Sequence, residues 1–409
     1  MTLAVTTLAN GLRVVTLATP GAETAALGLY ADTGSRFEDA SINGIAHLFE
    51  HMVFKGTATR SARTIAEAIE DVGGQLNAYT ARDMTAFHAR VLGDDVPLAF
   101  ELIADLIRAP RFDADDLVRE KDVVLSELGE ARDTPDDIVF DHLQEAAFPD
   151  QPLGRSILGS EESLAAIGPE HLRGWLDAQF RGPSCVFAAA GKVDHDALVR
   201  MAEGLLGDLP DGAHPDSARA SFAGGTRHDR RKFEQAHLTF GYEAAAHRAP
   251  DYYPLTLFAT AAGGGMSSRL FQELREERGL AYSVYATLTS YDDTGLFSVY
   301  LATANNNAAA ASALALQVLG RCAEGLDAAE LARAKAQLKA GLLMSLEGAA
   351  GWAEYLARQM LIHGAPVPPA DVIAKVDAVT VEAARDAAQR MLAGPMARAH
   401  VGSIKLQAA

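Results

Sequence analysis

The sequence predicts an α+β fold made of two homologous domains, each an antiparallel β-sheet packed with helices. Three observations lead there. β-rich runs alternate with helical ones along 409 residues, a length beyond one average domain. A central stretch, from about 205 to 232, is rich in Pro, Gly, Asp and Arg and lacks sustained periodicity, which suits a linker. Segments on either side of it also superpose: FDADDLVREK (112–121) on LDAAELARAK (326–335), IGPEHLRGWLDAQFRGP (167–183) on VTVEAARDAAQRMLAGP (379–395), and HLFEHM (47–52) on RLFQEL (269–274). The domains are therefore placed at 1–208 and 233–409, joined by 209–232.

The elements follow in order. Near the N-terminus, Ala9-Asn10-Gly11 separates two β-rich runs, the second at 12–17, as in a hairpin. The stretch GIAHLFEHMVFKGT (44–57) has helical periodicity: Ile45, Leu48, Phe49, Met52 and Val53 share one arc, and His47, Glu50, His51 and Phe54 the opposite one. Asn43 or Ser41 is expected to cap its start, and Gly56 suits its end. Residues 76–92 are β-rich. FDADDLVREKDVVLSELGEARD (112–133) then reads as a helix with a buried stripe of Leu117, Val124, Leu125 and Leu128; Glu120 and Glu127, seven positions apart, border that stripe on one side. In the second half, 236–242 and 281–302 are β-rich, and DDTGL marks a tight antiparallel connection.

Composition narrows the class of function. The 49% hydrophobic content is ample for packed cores, and no run is long or pure enough to span a bilayer. The N-terminus lacks the basic start and continuous apolar segment of a signal peptide, so the cytoplasm is the expected location and no membrane association is expected. Cys185 and Cys322 lie in apolar surroundings in different halves and read as buried free thiols. A net charge of −18 argues against nucleic acid and is compatible with basic or neutral ligands.

The chemistry concentrates at 47–51. His47 and His51 stand one helical turn apart with Glu50 between them, so two imidazoles can share one ion beside a carboxylate. With 12 His in 409 residues, chance yields at most about 0.05 such H-x-x-E-H matches. Zinc held by two His needs a third protein ligand, and both Glu120 and Glu127 are candidates on the second helix. The repeat sharpens this: His47 corresponds to Arg269, Glu50 to Gln272, His51 to Glu273, Glu120 to Ala334 and Glu127 to Gly341. One copy keeps ligand-capable residues that the other lacks, a difference the shared scaffold does not require. His88, His142, His171, His195 and His363 have no partners at useful spacing, and AAGGGMSS (261–268) lacks the Gly-Lys-Ser/Thr ending of a phosphate loop.

H-x-x-E-H is the inverted zinc-protease motif. With GGQLNAYTARD, EKDVVLSEL, FDHLQEAAFPDQPLGRSILG and MSSRLFQELREERGLAYSVYA in order over nearly the whole length, the chain resembles the pitrilysin-like metallopeptidases of family M16, most of all the branch that includes mitochondrial processing peptidase and its bacterial relatives. The resemblance implies a zinc-dependent endopeptidase with one Zn2+ per chain, His47, His51 and Glu127 as ligands, Glu50 as general base and Glu120 supporting a ligand from outside. It implies that the strand carrying Asn77 and Ala78 pairs with substrate, and that Arg275 and Tyr282 contact substrate and stabilise the oxyanion; without it, Arg275 would read as a helix-surface residue and Tyr282 as a core strand residue. The family closes a chamber with four such domains, so two domains make half of a clamshell. A homodimer follows, or a heterodimer with a related subunit, acting on peptides, with basic ones favoured by the charge. The rival reading is a non-catalytic M16 subunit with a scaffold or binding role; a processing enzyme for one precursor would carry the same residues.

Overall fold

The computed structural model describes residues 1–212 and 215–403. Two residues of the expected linker, 213 and 214, lie outside them. The chain runs β1 (Thr2–Thr7), β2 (Arg13–Ala18), β3 (Thr24–Ala31), α1 (Ile45–Val53), α2 (Ala62–Glu70), β4 (Gln75–Thr80), β5 (Thr85–Leu92), α3 (Val96–Arg108), α4 (Ala114–Asp133), α5 (Pro135–Ala147), α6 (Glu161–Ala166), α7 (Pro169–Gln179), β6 (Cys185–Gly191) and α8 (His195–Leu206). The second half adds β7 (Gly225–Asp229), β8 (Gln235–Ala244), α9 (Tyr252–Gly263), a π-helix (Phe271–Glu277), β9 (Ser283–Ser290), β10 (Gly295–Ala304), α10 (Ala308–Gly325), α11 (Ala328–Ser345), α12 (Ala349–His363), α13 (Pro369–Ala378), α14 (Val381–Leu392) and β11 (Met396–Val401).

Two compact units result. The first comprises Met1–Leu128, Ser156–Ala218 and Leu343–Val367; the second comprises Gly129–Arg155, Arg219–Leu342 and Pro368–Ala409. The units thus meet along the chain inside the expected linker, at 218/219, and each also takes one segment from the other half. The helices so exchanged, α5 and α12, hold the same place in the order of the two copies, each directly after the long helix that the repeat aligns.

In the first unit six strands order as β1-β2-β6-β3-β5-β4. The pairs are antiparallel apart from β2 with β6, which the sequence did not signal. The hairpin at Asn10-Gly11 forms, with Gly11 at φ 88°, a left-handed conformation that glycine adopts without a Cβ clash. One face of the sheet buries Phe87 and Phe187 against Phe49, Phe100 and Phe180 of the helical layer. The other face, with Val15, Tyr30 and Val186, is covered by Ala353, Leu356, Ala357 and Met360 of α12. β4 ends the order with one edge unpaired within the sheet.

The second unit has five strands ordered β7-β11-β8-β10-β9, again antiparallel apart from one pair, β11 with β7. α5 lays Val139, Leu143 and Ala147 on one of its faces. Cys185 and Cys322 are free and buried. No helix among the described residues is long and apolar enough to cross a membrane.

Candidate metal centre

α1 presents its apolar arc to the core, with Ile45, Leu48, Phe49, Met52 and Val53 at 0% exposure. His47, Glu50 and His51 are left on the outer arc, only partly covered. The start of the helix is not capped by Asn43 or Ser41. The N-cap is Gly44, at φ 94°, and a Cβ there would lie 2.8 Å from the Leu158 carbonyl oxygen. The first N–H groups go instead to the buried carboxylate of Glu38, which accepts from Gly44 N at 2.8 Å, Ala46 N at 2.9 Å and Asn43 Nδ2 at 2.5 Å. A buried anion at the positive end of a helix stabilises that end, and here it fixes the turn that carries His47. Glu38 has no sequence signature that reveals this. Gly56 does not end α1 either: the helix closes at Phe54, and Gly56 bridges to Ser61.

α4 supplies the opposing carboxylates. His47 Nε2 lies 3.7 Å and His51 Nε2 3.8 Å from Glu127 Oε2. Both are too long for hydrogen bonds, and both are near the separation of about 3.4 Å between ligand atoms around a tetrahedral ion held at about 2.1 Å. One ligand atom from each of these three residues lies within 4.8 Å of the others, and no other set of three His, Cys, Asp or Glu does this among the described residues. His51 Nδ1 faces Glu120 Oε2 at 3.2 Å, which places its N–H there and leaves the Nε2 lone pair toward Glu127. Glu120 is only 6% exposed, and its second oxygen meets Lys55 Nζ at 2.6 Å. His47 Nδ1 is buried without a partner. Burial, and then the neighbouring His51, push the His47 imidazole down to about 4, so it is neutral, as a ligand must be. The donor set therefore fits a zinc ion.

Glu50 points to the same place without joining the three. Its Oε2 accepts from Thr80 Oγ1 at 2.6 Å. Its pKa is raised, first by burial; the Thr80 hydrogen bond and His51 oppose the rise and Glu127 adds to it. A carboxylate moved toward neutrality suits proton transfer in both directions. Thr80 ends β4, so the edge strand that bears Asn77 and Ala78 runs up to Glu50. Asn77 is exposed, and its Oδ1 accepts from Ala78 N at 2.8 Å.

Arg275 and Tyr282 belong to the second unit. The guanidinium lies over the Tyr282 ring at 4.9 Å and over the Phe271 ring at 4.7 Å. Tyr282 is 70% exposed and precedes β9; the reading of it as a core strand residue is corrected. The strand turns inward only from Val284, which leaves the phenol outside.

The family described as insulinase (peptidase family M16) matches residues 13–161, and the peptidase M16 inactive domain matches 166–338. An uncharacterized zinc protease of Mycobacterium tuberculosis is 39% identical over 394 residues, covering 95% of this chain and 90% of that protein. The chain belongs to peptidase family M16. Other members include an uncharacterized zinc protease of Rickettsia felis, 35% identical over 90% of this chain and 89% of that protein. The mitochondrial-processing peptidase subunit beta of Lentinula edodes is 36% identical over 95% and 87%. A crystal structure titled peptidase M16 inactive domain, from Pseudomonas fluorescens, shares the fold with a TM-score of 0.91 at 22% identity, covering 100% of this chain and 99% of that one. Family and relatives support a peptidase role.

Proposed function

We propose that this M16 member is a zinc-dependent endopeptidase that uses Glu50 as its general base. The convergence of His47 Nε2, His51 Nε2 and Glu127 Oε2 on one point, with the Glu50 carboxylate beside it, carries the reading. Zinc held by His47, His51 and Glu127, one ion per chain, would supply a water of lowered pKa and polarise the scissile carbonyl. Glu50 takes the proton of the attacking water and returns it to the leaving amine. Thr80 holds the carboxylate in place for both transfers. Glu120, itself held by Lys55, keeps the His51 ring oriented through Nδ1. Substrate adds as a strand beside β4, along Asn77 and Ala78, with affinity drawn from main-chain hydrogen bonds. Arg275 and Tyr282 donate to the developing oxyanion, and they come from a second copy of the chain, so that two copies enclose two sites.

The test compares zinc content and hydrolysis of a quenched peptide for wild type, Glu50→Gln and Glu127→Ala. Glu50→Gln is expected to keep about one zinc and lose turnover, and Glu127→Ala to lose the metal. A wild-type chain that binds no zinc would overturn the reading. The shared site has its own test: mixing Glu50→Gln chains with Arg275→Ala chains should restore about a quarter of wild-type activity if each site joins two chains and subunits exchange randomly. Sites contained within one chain would restore none.

A further inference from the structure

A cavity of about 640 Å³ follows the free edge of β4, with α2 as its far bank. Its walls differ in chemistry. Gln75 pairs with Arg90 and Asn77 with His88 across the β4–β5 ladder, so these four side chains share one face of the sheet. Leu76, paired with Ala89, points to the other face, where Phe54, Ile65 and Ile69 line an apolar wall that ends in Glu70. A second cavity, of about 500 Å³, shares Gln75 and Arg90 with the first and continues to Gly348–Gly351.

The charges are distributed in the same way. Arg90 is exposed and forms no hydrogen bond or ion pair with any described residue. Nearby His88 has its pKa lowered, first by burial and further by Arg90, while Glu354 opposes the shift. Among the described residues Arg90 is the only Lys or Arg lining that cavity, and Glu354, the carboxylate that acts on His88, accepts from the Tyr79 hydroxyl. Glu70, the carboxylate of the opposite wall, likewise has no side-chain hydrogen bond or ion pair with any described residue. A strand laid beside β4 sends alternate side chains to the two faces, so successive substrate residues would meet Arg90 and Glu70 in turn.

We infer that this groove is a charge-reading subsite in which Arg90 selects an acidic side chain, at a distance and parity fixed by the strand register. The inference rests on the endopeptidase reading above. Gln75, opposite Arg90, lies two positions from Asn77 and five from Thr80, whose hydroxyl holds Glu50. The selected Asp or Glu thus lies two to five residues from the scissile bond, on one side of it. Moved by one position, the same carboxylate faces Glu70 and the apolar wall, and the advantage disappears.

The experiment uses quenched peptides with a fixed cleavage sequence, in which a single Asp or a single Lys is stepped through five positions on each side of the bond. kcat/KM is read for zinc-loaded wild type, Arg90→Ala and Arg90→Glu, and binding of the same peptides to Glu50→Gln is read by fluorescence anisotropy. One Asp position should raise kcat/KM about fivefold over Lys, in proportion to one partly screened ion pair. Its immediate neighbours should not, Arg90→Ala should flatten the profile, and Arg90→Glu should move the preference to Lys at that position. A profile unchanged by Arg90→Glu, or one without alternation, overturns the subsite while leaving the peptidase reading intact. Position-dependent binding to Glu50→Gln with no hydrolysis by wild type would uphold the subsite and remove the peptidase reading.

Discussion

Lys55 stands one turn beyond His51, and its ammonium satisfies the oxygen of Glu120 that the imidazole leaves free. Removing it strands a buried carboxylate and loosens the group that orients a ligand. Lys55→Met is expected to weaken zinc binding about tenfold, with Lys55→Arg retaining most of it; competition with a chelator of known affinity reads both. In the second unit, His400 of β11 is 4% exposed, and its Nε2 has no hydrogen-bond partner among the described residues. Its ring neighbours are His228 and Phe240. Burial first, then the charges of His228 and Arg398, push it down to about 4 from 6.5. The unfolded chain therefore takes up this proton first as pH falls. The stability associated with neutral His400 is complete above about pH 6.5 and is lost as pH drops toward 4, with about 2 kcal/mol gone by pH 5. His400→Phe should reduce the difference in urea midpoint between pH 7 and pH 5; an unchanged difference would mean that other groups set the acid limit.

At the scale of elements, α1 depends on what precedes it. Gly44 lies at φ 94° against the Leu158 carbonyl, so Gly44→Ala combines backbone strain with a contact at 2.8 Å. A loss of about 1–3 kcal/mol is expected, together with weaker zinc binding, because the strained turn carries the candidate ligands His47 and His51. Denaturant titration and metal analysis measure the two effects. The equivalent segment of the second unit shows what the fold does without the His/Glu set. There the repeat predicts an α-helix, and the chain forms a π-helix at Phe271–Glu277. Arg269, at the position of His47, reaches α11 and binds both Glu330 oxygens at 2.6 Å. A bidentate ion pair thus ties together the two elements whose counterparts carry the zinc-ligand candidates.

For the whole molecule, the exchange of α5 and α12 decides what can fold alone. A fragment of residues 1–208 has the six strands of the first sheet but lacks α12, which buries Val15, Tyr30, Val186 and Ala188. That fragment should expose an apolar sheet face, bind a hydrophobic dye and aggregate, and a peptide spanning 343–367 should reverse this. A monomeric, well-folded fragment would show that α12 is dispensable. The net charge of −18 acts at this scale as well. With the residue facing Arg90 held constant, basic peptides should be cut faster than matched acidic ones at low salt, and the gap should close at high salt as charges are screened.

The sequence alone was enough for the duplication, the α+β class, the amphipathic helix with its His/Glu arc and the pair of glutamates, because these are written as local periodicity and as differences between two aligned copies. His47, Glu50, His51 and Glu127 were legible as one candidate site for that reason, whereas Lys55, in the same stretch, carried no signal of its contact with Glu120. Glu38, the parallel pairs β2–β6 and β7–β11, and the exposure of Tyr282 were not. Each depends on residues brought together across the chain, and periodicity carries no record of a partner far away in sequence. The destinations of α5 and α12 belong with them: an apolar helix face states that it must be buried, and only the tertiary structure decides against which sheet.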